Sequence, residues 1–181
     1  SSDRLEVHDT GQESGASVFE ERTLDDIHQE IREAYLADDR PWVIGYSGGK
    51  DSTTALQLIW YAIKELPEEK RTNTVYVISS DTLVETPKIV NHITSTLDNV
   101  NEFAEKENLP FEAHKVTPKV DDTFWVNLIG RGYPAPNQTF RWCTERMKID
   151  PADRFIEEKV SEHGEVIVVL GARKAESATR K

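Results

Sequence analysis

The stretch Trp42-Val43-Ile44-Gly45-Tyr46-Ser47-Gly48-Gly49-Lys50-Asp51-Ser52 fixes how the rest of the chain is read. Its first half is a short apolar run entered through Pro41, the pattern of a buried strand. Its second half leads into Ala55, Leu56, Ile59, Ala62, Ile63 and Leu66, one face of a helix that Pro67 ends. A glycine-rich link between a buried strand and a helix suits an anion. Gly48 and Gly49 adopt backbone angles that other residues resist, and they bring main-chain N–H groups close to phosphate oxygens. The helix starting near Ser52 adds the positive end of its dipole. Lys50 supplies a point charge, and Ser47 and Ser52 supply hydroxyl donors. Asp51 cannot bind an anion directly, so its sensible role is to hold Mg²⁺, which in turn holds phosphates.

Asp51 also separates this loop from the Walker A pattern, which needs Ser or Thr after Gly-Lys and a glycine five residues before the second glycine. Here Asp51 follows Gly49-Lys50, and position 44 is Ile44.

Upstream, Thr23-Leu24-Asp25-Asp26 resembles a capping box with Asp in place of Glu. Leu24, Ile27, Ile31 and Ala34/Tyr35 then predict an amphipathic helix over 24–37. Residues 1–22 lack apolar periodicity and read as a flexible acidic N-terminal segment. Downstream, 74–79 is a second β-rich run, and Thr86-Pro87 reads as an N-cap with proline at the first helical position. Ile89, Ile93, Leu97, Val100 and Phe103/Ala104 continue that helix. A third strand is predicted at 111–116, a helical stretch at 124–129, a loop at 131–140, a helix from Pro151, and a fourth strand at 165–170. Strands alternating with helices imply an α/β fold, a doubly wound, mostly parallel sheet flanked by helices and Rossmann-like in outline. In such sheets ligands sit at the carboxyl ends of the strands, near a topological switch point.

The 181 residues suffice for one domain, and no apolar run approaches the ~20 residues of a membrane span. Without a leader-like N-terminus, the expectation is a cytoplasmic protein with no membrane contact. Net charge is −11, and residues 1–40 carry twelve acids against four bases. From Phe124 onward ten bases meet eight acids, so an acidic molecule can still present a positive face. Overall acidity disfavours non-specific nucleic-acid binding by this chain alone. The single cysteine, Cys143, excludes an internal disulfide.

Three further segments carry candidate chemistry. Asp81, after the second strand, suits Mg²⁺ or an adenosine, or equally a strand-end cap. Arg141, Arg146 and Lys148 surround Cys143, and cationic neighbours favour thiolate. That leaves Cys143 as nucleophile, sulfur carrier, metal ligand or buried structural thiol, with Arg141 and Lys148 as ligands for an anionic substrate. Gly171 permits a tight turn after the fourth strand. Arg173 offers bidentate contacts to phosphate or sulfate, with Glu176 orienting it and Arg180 adding charge. The chain stops abruptly after this segment, which reads as truncation of a longer protein.

The loop at 47–52 resembles the PP-loop of the ATP pyrophosphatases, which cleave ATP to AMP and pyrophosphate. Taken with Asp81, Arg141-Trp142-Cys143 and the Gly-x-Arg-x-x-Glu-Ser-x-x-Arg pattern of 171–180, it resembles the 3′-phosphoadenylylsulfate (PAPS) reductase branch of that superfamily. Its fold is the adenine nucleotide alpha hydrolase-like one, and the domain would span 23–181. Ser80 to Pro87, Thr123 to Pro136 and Phe140 to Arg146 are similar to the DndC family of DNA phosphorothioation, and to the related SspD.

The resemblance implies that Ser47, Gly48, Gly49, Lys50, Asp51, Ser52, Asp81, Gly171 and Arg173 bind ATP and pyrophosphate. Lys50, Asp51 and Cys143 would be catalytic, and Arg141, Lys148, Arg173, Glu176, Ser177 and Arg180 would bind the second substrate. It implies ATP and Mg²⁺, and either a 4Fe-4S cluster for which Cys143 is the one candidate ligand here and the other cysteines lie outside this chain, or a member of the family that lacks the cluster. The partners implied are DNA within a complex, a cysteine desulfurase and other phosphorothioation proteins. A sulfur-assimilation enzyme, either PAPS reductase or the small subunit of sulfate adenylyltransferase, is the alternative of the same class. A non-catalytic ATP-binding assembly subunit is the alternative of another class. Lys50 with Asp51 favours turnover, since both suit metal-assisted phosphoryl chemistry.

Overall fold

The computed structural model describes residues 22–171, so the acidic lead-in as far as residue 21 and Arg173, Glu176, Ser177 and Arg180 lie outside the described residues. Four strands, β1 (Trp42–Gly45), β2 (Val75–Ser80), β3 (Phe111–Val116) and β4 (Ile167–Leu170), pair in parallel in the order β3-β2-β1-β4. Trp42 lies opposite Val75 on one side and Ile167 on the other, and Val75 lies opposite Phe111. β1 and β2 have neighbours on both edges and read as near-continuous apolar runs, as strands covered on both faces must.

Side-chain alternation sorts the core into two layers. Trp42, Ile44, Val75 and Val77 face helices α1 (Leu24–Leu36), α2 (Lys50–Lys64) and α3 (Pro87–Glu107), packing with Leu56, Ile59, Ile63, Leu97 and Val100. Val43, Tyr76 and Ile78 face the other way, against Ala152, Phe155 and Ile156 of α4 (Asp150–His163). Among the described residues no helix is long and apolar enough to cross a membrane.

The capping box at α1 is present in both directions: the Asp26 N–H donates to Thr23 Oγ1 at 3.2 Å, and the Thr23 N–H donates to Asp26 Oδ2 at 2.8 Å. Buried Tyr35 then ties α1 to the approach of β2. Its hydroxyl donates to Asn73 O at 2.7 Å and accepts the Asn73 N–H at 2.9 Å. Thr86 is the N-cap of α3 with Pro87 next, as the sequence predicts, but its side chain makes no cap bond.

One boundary differs from the sequence reading. The helix expected to begin at Pro151 is continuous with a short α turn at Trp142–Thr144 and a π-helical segment at Glu145–Ile149. Proline cannot donate to the carbonyl four residues back and clashes with it, so it reads as a helix start. The wider π turn ahead of Pro151 relieves that clash and lets the helical run begin earlier. A second π segment, Val126–Gly130, occupies the stretch predicted as helical at 124–129.

Candidate functional site

The strand order reverses at β1: β2 and β3 lie on one side of it, and β4 returns to the other. A crevice therefore opens at the carboxyl ends of β1 and β4, where the loop 46–49 leaves the sheet. The Tyr46 N–H still donates to Ile78 O at 2.8 Å, after which the chain turns away. Gly48 has φ +75°, and a Cβ there would lie 3.2 Å from Ile93 Cγ1. Gly49 is the N-cap of α2 and no side chain caps the helix. The positive end of a 15-residue helix therefore faces the loop, and an anion is the ligand it suits.

Two serines brace this loop. Ser52 is buried, and its hydroxyl donates to Gly49 O at 3.1 Å and accepts the Ser47 N–H at 3.2 Å. Its Oγ also lies 3.1 Å from the exposed Ser47 Oγ. Lys50 is exposed at the mouth of the loop, and Asp51 beside it is half-buried. Gly171, immediately after β4, closes against the same turn. A Cβ at Gly171 would stand 2.8 Å from Asp51 O and 3.0 Å from Ser52 Cα. Two segments 120 residues apart in sequence thus meet backbone to backbone, and only glycine fits between them.

A cleft of about 600 Å³ adjoins the loop, and Ser47, Ser52, Ser80, Glu85, Lys148 and Gly171 line it among others. Lys148 Nζ lies 3.7 Å from Glu85 Oε1, and the Lys148 carbonyl accepts the Ser80 hydroxyl at 3.1 Å. The segment before α4 is thereby tied to the end of β2 across the cleft. Asp81 lines a smaller adjoining hollow with Ser80, Glu85 and Lys115. Its carboxylate accepts the Leu83 N–H at 2.9 Å and lies 3.5 Å from Lys115 Nζ. This is the strand-end cap geometry, and Leu83 takes the left-handed conformation it imposes, φ +63°.

Cys143 is a free, half-buried thiol in the turn Trp142–Thr144 and lies outside the lining of the cleft, as does exposed Arg141. Two of the three cations around Cys143 have other commitments. Arg146 donates to Asp122 Oδ1 at 3.0 Å and to the Tyr133 hydroxyl at 3.1 Å, and Lys148 turns to Glu85. The aromatic residues of this block form a satellite core, with Phe124 stacked on buried Trp142 at 5.4 Å. Asn127, fully buried, holds the lobe together by donating to Thr123 O at 2.9 Å and by accepting Arg131 Nη1–H at 3.2 Å. Sequence reading missed Asn127 and Asp122 as organising residues, because a lone polar residue among aromatics carries no local pattern. It also missed that Glu85 would face Lys148, a contact between residues 63 positions apart.

The donor set decides which groups fit. An uncapped helix N-terminus, two hydroxyls and a glycine cradle suit the phosphates of ATP. Mg²⁺ needs one or two carboxylates once phosphates supply further oxygens, so Asp51 in the loop suffices chemically. A 4Fe-4S cluster needs four thiolates or their equivalents. Among the described residues no three of His, Cys, Asp and Glu converge as a metal site, and Cys143 is the sole thiol. The described residues alone do not fit a cluster.

A Methanocaldococcus jannaschii protein, MJ0066, is 29% identical over 150 residues, covering 83% of this chain and 26% of its own length. The chain therefore spans about a quarter of that relative. The U34-tRNA thiolase NcsA from Methanococcus maripaludis, solved with its 4Fe-4S cluster, aligns with 82% of this chain and 45% of its own at 15% identity and a TM-score of 0.45. The model of the phosphoadenosine phosphosulfate reductase domain matches residues 41–181, from the start of β1 through the Gly-rich loop and Gly171, and the chain belongs to that family.

Proposed function

We propose that this chain binds ATP at Ser47–Ser52, cleaves it between the α- and β-phosphates, and uses the AMP group to activate a DNA backbone phosphate for sulfur insertion. The observation that carries the ATP part is the uncapped start of α2, closed by Gly171. Main-chain N–H groups there stabilise the charge of the departing pyrophosphate, and Lys50 adds a cation that follows it. Asp51 holds the Mg²⁺ that neutralises the polyphosphate. Adenylylation makes chemical sense because a phosphodiester oxygen is a poor leaving group and AMP is a good one. The DNA part is supported by the similarity of Ser80–Pro87 and Thr123–Arg146 to the DndC family, whose sulfur comes from a cysteine desulfurase. Cys143 serves as sulfur carrier or cluster ligand on the same resemblance.

The ATP part predicts Mg²⁺-dependent pyrophosphate release that Lys50→Ala and Asp51→Ala each reduce at least a hundredfold, as loss of a transition-state contact does. Turnover unchanged in both variants would remove the loop from the chemistry. The DNA part is tested in cells. Ser47→Ala or Asp51→Ala should abolish phosphorothioate dinucleotides in digested DNA, read by mass spectrometry. Normal modification in both strains rejects the DNA role, and transfer of the same AMP group to sulfate would favour a sulfur-assimilation enzyme instead.

A further inference from the structure

Lys148 and Glu85 meet in the cleft beside the phosphate loop, with Lys148 Nζ 3.7 Å from Glu85 Oε1. At that distance they form an ion pair without a hydrogen bond. They arrive from separate elements, Lys148 from the π-helical segment Glu145–Ile149 and Glu85 from the connection between β2 and α3. The main chain of Lys148 is pinned, because its carbonyl accepts the Ser80 hydroxyl at 3.1 Å, while its ammonium is held only loosely. The neighbouring pair is built differently. Asp81 lies 3.5 Å from Lys115, but its carboxylate also accepts the Leu83 N–H at 2.9 Å, and its side chain is 11% exposed. The Glu85 side chain is 32% exposed and that of Lys148 56%. An ion pair so open to water contributes little and yields to a better partner. Glu85 has a second place to go. It lines the smaller hollow with Val90 and Ile93 of α3, and it directly precedes Thr86, the N-cap of that 21-residue helix. The cap side chain makes no bond and the first turn holds no acid, so the positive end of α3 is open to a carboxylate beside it.

We propose that Glu85 is a resting counter-ion for Lys148: it holds the ammonium until the oxyanion of the second substrate takes its place, and it then turns to the start of α3. The proposal rests on the reading of the cleft as the place where ATP meets an anionic acceptor. In that reaction an acceptor oxygen attacks the α-phosphorus as the bond to the bridging oxygen of the β-phosphate breaks. Acceptor and polyphosphate are both negative, and like charges at such range repel. Lys148 stands on neither the phosphate loop nor α2, so it can offset that repulsion without releasing the pyrophosphate. The exchange makes the cleft selective. A neutral acceptor leaves the Lys148–Glu85 pair intact, whereas an oxyanion releases it, and both charges find a partner in either arrangement. A backbone phosphodiester and sulfate share the chemistry that Lys148 reads, and the DNA role proposed above favours the phosphodiester.

The test is an NMR titration of the full chain, labelled at lysine Cε and at the backbone nitrogens, with Mg²⁺ and pyrophosphate present throughout. Dimethyl phosphate stands for a backbone phosphodiester, sulfate for an inorganic acceptor, and trimethyl phosphate for a neutral one. Dimethyl phosphate should shift the Lys148 signal together with the Lys88 and Ile89 amides at the start of α3, and trimethyl phosphate should shift none of them. Glu85→Gln should tighten dimethyl phosphate about two- to fivefold, the range that an exposed ion pair can withhold, and should abolish the shift at Lys88 and Ile89. Lys148→Ala should weaken the probe, and Glu85→Gln added to it should change the affinity no further, because Glu85 acts through Lys148. Equal affinity in the wild type and Glu85→Gln overturns the exchange. So does a Glu85→Gln effect that survives in Lys148→Ala, which would make Glu85 a simple repelling charge. Equal shifts with trimethyl phosphate overturn the selectivity, and tighter binding of sulfate overturns the choice of a phosphodiester. The cleft reading is judged separately: pyrophosphate that leaves the Gly48 and Gly49 amides unmoved overturns that reading and the exchange together, whereas pyrophosphate that moves them while Glu85→Gln changes nothing overturns the exchange alone.

Discussion

A methyl group at Gly171 would meet the Asp51 carbonyl oxygen at 2.8 Å, and that oxygen belongs to a helix start and cannot swing aside. Gly171→Ala should therefore displace the phosphate loop, with a cost to stability of about 1–3 kcal/mol. ATP affinity by calorimetry and the urea midpoint should fall together, and a variant with wild-type values of both would contradict the close approach. Tyr35 is a residue of a different kind, buried and doubly bonded to Asn73. Its phenol is pushed up to about 12 by burial, partly offset by the bond to Asn73. The folded value lies above the ordinary one of 10.0, so the contribution is complete below about pH 10 and is lost as pH rises through 12. Tyr35→Phe leaves the Asn73 N–H and carbonyl without that partner and should cost about 1–3 kcal/mol in chemical denaturation. The glycine was legible in sequence as a turn after a strand, but what it packs against was not, since that contact needs β4 to return beside β1.

Helix α1 begins on a capping box, and that cap is sensitive to acid. Backbone and side-chain bonds from Thr23 hold the Asp26 carboxyl below its usual range. The folded value is depressed, so the cap contributes above the ordinary carboxylate pKa and is lost as pH falls through the lowered one. Amide exchange at Thr23 should accelerate in acid before that of the α2 and α3 amides, and equal protection of all three would contradict the assignment. At the sheet edge, Asn101 of α3 closes the free side of β3: its amide donates to Ala113 O at 3.1 Å, and its Oδ1 accepts the Ala113 N–H at 2.8 Å. Asn101→Ala should cost about 1–3 kcal/mol and open an unpaired edge, which light scattering would register as association. The capping box, the strands and α1–α3 were readable because each rests on a local period or cap. The two π segments were not, because a wider turn has no period of its own in so short a stretch. The sequence could not show that Asn101 would cover an edge, because strand order is not a local property.

At the scale of the molecule, residues from β1, β2, the segment before α4 and the end of β4 converge on one cleft at the switch point. That a ligand would sit at the strand ends was legible from the alternation of strands and helices. That Lys148 would line the cleft while Cys143 and Arg141 would not was beyond the sequence, because eight residues of mixed α and π helix turn them differently. The family to which the chain belongs, that of the phosphoadenosine phosphosulfate reductase domain, is matched from residue 41 onward and so takes in the loop and strand ends that form this cleft. Cleavage between the α- and β-phosphates can be followed by turnover of ATP labelled at the α-phosphorus. The label should leave as AMP, or remain on an adenylylated acceptor, with one pyrophosphate per turnover. Label recovered in ADP, with inorganic phosphate as the other product, would contradict it.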